Sequence, residues 1–123
     1  MNTKEVNIRV LAFLGDAIFS LYVREKLIES GINNAKILQD KSIKYVSAKG
    51  QVEILNNLIN NSILTEEELD IVRRGRNYKN DSHLKNTDIV THKTSTGFEA
   101  LLGDLYLNDK DRLYEILNMI EVK

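Results

Sequence analysis

Apolar residues recur three and four positions apart along most of this chain, and no proline interrupts them. That spacing marks amphipathic helices, and a proline-free stretch keeps every backbone N–H available for a helical ladder. With only six glycines in 123 residues, the pattern implies an all-α fold. The length implies one domain, residues 1–123, with a core that needs no covalent staples. The chain has no cysteine, which excludes disulfides and thiolate metal sites. Two histidines are too few for a His-rich zinc site. No apolar run approaches the ~18 residues that span a membrane, and Met1–Val6 does not read as a signal peptide. A soluble cytoplasmic protein is expected.

The periodicity divides the chain into segments. A first helix is expected from about Lys4 to Glu29, with Val6, Val10, Phe13, Leu14, Ala17, Leu21 and Ile28 on a broad apolar face. Gly15 inside it signals close packing against its backbone, and Gly31 is a plausible C-terminal stop. Asn33-Asn34 can cap a second helix carrying Ile37, Leu38, Ile43 and Val46, with Gly50 marking a bend before a third segment with Leu55 and Leu58. Thr65 to Glu68 reads as a capping box, and its helix ends in Arg73-Arg74-Gly75-Arg76. Residues Asn77 to Ile89 are polar, without apolar periodicity, and such stretches are more often functional than not. Two further helices are expected at about Thr94–Leu107 and Lys110–Ile120.

Two of these segments contain costly carboxylates. In Leu11-Ala-Phe-Leu-Gly-Asp-Ala17, Asp16 has Ala12, Phe13, Phe19 and Ser20 as its helical neighbours. An ionised acid beside such groups needs a partner unless it points to water. Phe98-Glu-Ala-Leu-Leu-Gly103 has the same character around Glu99. Both acids are candidate ligands for a hard cation, which takes one or two carboxylates and keeps several waters. The alternatives are an Asp16 on the rim of the apolar stripe and a Glu99 that merely closes a capping box with Thr96. Asp104 lies about 140° round the helix from Glu99 and is read as solvated.

The formal net charge is −1, yet Arg73 to Lys93 holds six Lys/Arg against two acids. A cationic segment on an acidic body is the pattern of a localised phosphate contact. Arginines at a helix C-terminus also complement the macrodipole, but that does not account for Lys79, Lys85 and Lys93. His83 and His92 read as polar surface residues, and Tyr78 could equally stack on a base or be partly buried.

Phe13-Leu-Gly-Asp-Ala17 resembles the signature of ribonuclease III nuclease domains, and Phe98-Glu-Ala-Leu-Leu-Gly-Asp-Leu-Tyr-Leu107 resembles their second acidic motif. Val46-Ser-Ala-Lys-Gly-Gln51, Arg74-Gly-Arg-Asn77, Lys85-Asn-Thr-Asp88 and Ser95-Thr-Gly-Phe-Glu99 are similar to mini-ribonuclease III, the bacterial subfamily without a double-stranded-RNA-binding domain. Two acids of the longer enzymes are replaced here by Ala12 and Thr96, and where mini enzymes often have an aromatic followed by Arg this chain has His92-Lys93. The resemblance implies a ribonuclease III endonuclease fold acting as a homodimer. It implies Asp16 and Glu99 as catalytic residues and ligands of Mg²⁺, with Mn²⁺ as a substitute. Double-stranded precursor 23S ribosomal RNA would be cut to give 5′-phosphate ends. Its contacts would be Arg73, Arg74, Arg76, Asn77, Lys79, Lys85, His92 and Lys93. A catalytically inactive member that binds ribosomal RNA structurally is the alternative; a helical adaptor for a protein partner would leave the cationic segment without a role.

Overall fold

The computed structural model describes residues 1–78 and 86–123. A 3-10 turn (Thr3–Glu5) precedes six helices: α1 (Ile8–Glu29), α2 (Ala35–Val46), α3 (Ala48–Asn60), α4 (Glu66–Arg76), α5 (Asn86–Asn108) and α6 (Lys110–Leu117). Among the described residues there is no strand, as the periodicity implies. No helix among them is long and apolar enough to cross a membrane.

The caps explain most of the boundaries. Asn7, whose side chain accepts from the Arg9 N–H at 2.8 Å, caps α1, which starts at Ile8, four residues later than the apolar pattern suggests. Gly31 ends it with φ +106°, the left-handed conformation that glycine tolerates best. Ser47 both terminates α2 and caps α3 by accepting from Gly50 N–H at 3.1 Å. The break therefore falls at Ser47, not at Gly50, which is buried in the first turn of α3. A Cβ there would lie 2.8 Å from the Tyr45 carbonyl oxygen. The capping box of α4 forms as expected, with Thr65 and Glu68 each accepting from the other's backbone N–H at 3.1 and 2.9 Å. Glu68 is also buried and takes two bonds of 2.8 Å from the Arg112 guanidinium of α6.

The bundle is built round α5, which packs against α1, α3, α4 and α6. Its residues from Gly97 to Leu105 are buried apart from Glu99, so this stretch is dry on nearly every side and shows little amphipathicity. Phe98 meets Phe19 of α1 edge to face, with ring centroids 5.2 Å apart, a favoured aromatic geometry. The helix begins at Asn86, well before the expected Thr94. Its first turns project past the core, where no apolar stripe is needed. Asp104 is not solvated: it is 7% exposed, beside an Asn108 whose amide donates to both Asp104 and Thr3. A face pointing away from Glu99 still meets protein because α5 is central.

Glycines let the helices approach closely. A Cβ on Gly15 would lie 2.6 Å from the Glu99 carbonyl carbon, and one on Gly103 2.8 Å from that of Leu11. The two sites lie four residues apart on each helix and hold α1 tightly against α5 there.

Candidate active site

The Gly15–Glu99 approach decides where Asp16 sits. With the α1 and α5 backbones in contact at that point, the next residue of α1 meets the side chain of Glu99. Asp16 is exposed and Glu99 half-buried, and the two carboxyl groups are close enough for Asp16 to act on Glu99. Burial, followed by the hydrogen bond and charge of Asp16, pushes the Glu99 carboxyl up to about 8, while a bond from Gln51 pulls it down. Like charges this close resist ionising together, which adds to the effect of burial on Glu99. Thr96 is not an N-cap. It lies mid-helix with its hydroxyl on the His92 carbonyl at 2.9 Å, so the capping-box alternative for Glu99 does not apply.

The pair opens into a cleft of ≈ 400 Å³ between α1, α3, the end of α4 and α5. Ala12 and Thr96, which stand where longer relatives of the resembled family carry acids, both line it. So do His92 and Lys93. Arg73, Arg74, Arg76 and Asn77 are exposed at the end of α4, and Arg73 faces Asp70 at 3.9 Å. Gly75 and Tyr78 of the same segment reach the cleft itself. Lys79, His83 and Lys85 lie outside the described residues.

Two cleft residues were not singled out by spacing. Arg9 lies seven residues, about two turns, before Asp16. It lines the cleft with its guanidinium 5.8 Å from the centre of the Tyr78 ring. Gln51 is 2% exposed and donates to Glu99 Oε2 at 3.2 Å. Its signal was a polar residue four and seven positions before Leu55 and Leu58, in the register of the buried stripe.

The donor set suits a hard divalent cation. Asp16 and Glu99 are two carboxylates lining one cleft, and Mg²⁺ takes one or two carboxylates and keeps several waters. Among the described residues the buried Oε1 of Gln51 also has no hydrogen-bond partner.

A ribonuclease III domain model matches residues 9–110. The chain belongs to the ribonuclease III family. That membership makes it an endoribonuclease of the ribonuclease III type. It is 40% identical over 116 residues to the Mini-ribonuclease 3 of Enterococcus faecalis, covering 94% of this chain and 88% of that one. It is 48% identical over 109 residues to the Mini-ribonuclease 3 of Brevibacillus brevis, covering 88% and 80%. A Fusobacterium nucleatum protein of known crystal structure superposes with a TM-score of 0.79 at 30% identity, over 96% of this chain and 93% of the other.

Proposed function

We propose that this chain is a divalent-metal-dependent endoribonuclease that cuts double-stranded RNA as a homodimer, trimming a stem of precursor 23S ribosomal RNA. The observation that carries the reading is the Asp16–Glu99 pair, two neighbouring carboxyl groups that line one cleft. Asp16 and Glu99 are the ligands of Mg²⁺, for which Mn²⁺ substitutes. When bound, such an ion lowers the pKa of a coordinated water and neutralises charge on the phosphate. Cleavage leaves a 5′-phosphate and a 3′-hydroxyl.

The other residues hold the RNA. Lys93 and His92 in the cleft, with Arg73, Arg74, Arg76, Asn77, Lys79 and Lys85 along the cationic segment, contact the backbone. A-form RNA offers a shallow minor groove lined with 2′-hydroxyls and phosphates, so shape counts for more than sequence. The dimer contact is the outer face of α1. Val10, Phe13 and Leu21 on it are 56%, 82% and 66% exposed, an apolar stripe that a lone surface helix would not carry. Phe13 also lines the cleft, so this face adjoins the site.

The test is cleavage of a long RNA duplex and of its separated strands, each with Mg²⁺ or with chelator. The expected result is duplex cleavage with Mg²⁺ only. RNA binding without cleavage under any divalent ion would favour a structural role on the ribosomal RNA.

A further inference from the structure

Gln51 is the most deeply buried polar side chain of the cleft, at 2% exposure. Its amide nitrogen donates to the Val46 carbonyl at 3.1 Å and to Glu99 Oε2 at 3.2 Å. Those two bonds use both of its N–H hydrogens. Among the described residues its Oε1 is left buried without a hydrogen-bond partner, a costly state unless a donor is supplied. Turning the amide over gives no relief, since its oxygen would then face the Val46 carbonyl, an acceptor against an acceptor. The side chain thus holds a ligand carboxylate on one hand and offers an unused acceptor on the other, beside a pair suited to a cation that keeps its waters.

Resting on the reading of Asp16 and Glu99 as cation ligands, we propose that Gln51 is the positioning residue of the metal site. Its NH₂ group fixes the Glu99 carboxylate, and its Oε1 accepts a hydrogen bond from a water of the bound cation. Groups behind the ligands act in this way elsewhere, and losing them weakens metal binding by about 10–100-fold. Gln51 touches neither the RNA nor the reacting atoms in this role.

The experiment measures Mn²⁺ affinity of the full chain without RNA, by the electron paramagnetic resonance signal of the free ion, with thermal melting of the metal-free protein as a check on folding. Wild type binds and Asp16→Asn does not, if the cation site is read correctly. Gln51→Met keeps the side-chain length and removes both amide functions. It should weaken Mn²⁺ binding by about tenfold or more. Gln51→Asn keeps the amide but draws it back from Glu99 by one methylene, and should also weaken Mn²⁺ binding. A folded Gln51→Met within about twofold of wild type overturns the proposal. Where Gln51→Met does not melt cooperatively, a Gln51→Asn protein that binds Mn²⁺ as tightly as wild type overturns it. Equal affinity in Asp16→Asn and wild type removes the cation site and this inference with it; silence of the Gln51 variants alone removes only the inference.

Discussion

Gly15→Ala should destabilise the protein although alanine is the better helix former. In an isolated helix the change would gain about 1 kcal/mol. Here the added Cβ would lie 2.6 Å from the Glu99 carbonyl carbon, and closer to its oxygen, where ordinary contact begins at 3.4 Å. The obstacle is backbone, so no side-chain rotation relieves it, and α1 and α5 must separate by about 0.8 Å or more. Overpacking of a tight contact costs typically 1–3 kcal/mol, and a backbone clash belongs at the upper end. The net expectation is a loss of about 2 kcal/mol, or roughly 6–10 °C in Tm for a chain of this size. Asp16 would move with α1, and displacements near 1 Å at a reacting centre can cost about 100-fold in rate. Gly31→Ala is the control. Nothing lies within 4 Å of a Cβ there, and its φ is +106°, so it should lose only the about 1–2 kcal/mol of left-handed strain and keep its cleavage rate at low temperature. Melting by circular dichroism and single-turnover cleavage well below the melting range make the comparison. A Gly15→Ala protein that melts at or above the wild-type temperature would refute the reasoning.

Replacing Arg74, Arg76, Lys79 and Lys85 together by Gln should weaken duplex binding whatever its sequence and flatten the plot of log K against log salt by about one per lost phosphate contact; an unchanged slope places the RNA elsewhere. Phe13→Glu on the exposed face of α1 should shift sedimentation towards monomer at micromolar concentration, and an unaltered dimer would dismiss that face as the contact. Burial works to raise the Glu68 carboxyl, but bonds from Arg112 and Thr65 outweigh it and hold it below the usual carboxylate range. Because its folded value is depressed, that stabilisation is fully present above the unfolded value near 4.5 and is lost as pH falls through the folded value. Glu68→Gln should therefore cost about 3 kcal/mol at pH 7, and its unfolding free energy should fall less steeply than wild type below pH 4.5; parallel curves would contradict the pairing.

What could be read in advance follows the reach of local rules. Gly31 and the Thr65–Glu68 box obey short-range backbone chemistry, and both form as expected. Asp16 and Glu99 stood out because carboxylates among apolar neighbours are costly, and the fold brings them together. The solvated Asp104 failed because a helical-wheel argument assumes one dry face, whereas α5 is enclosed on nearly all of them. The start of α5 was missed because its first turns leave the core and need no periodicity. Gln51 closes the Val46–Gln51 motif but carries no role there, since its meaning depends on Glu99, 48 residues away. Such pairings are set by helix crossings, which glycine contacts determine and no single window displays.

The central claim is that Asp16 and Glu99 hold the cation that cleavage needs. Asp16→Asn and Glu99→Gln keep size and remove charge, so single-turnover cleavage of an RNA duplex in Mg²⁺, measured beside duplex affinity, separates chemistry from binding. The expected result is a loss of more than about 100-fold in rate for each variant, with affinity within about threefold of wild type. Cleavage by either variant within about tenfold of wild type would contradict the account.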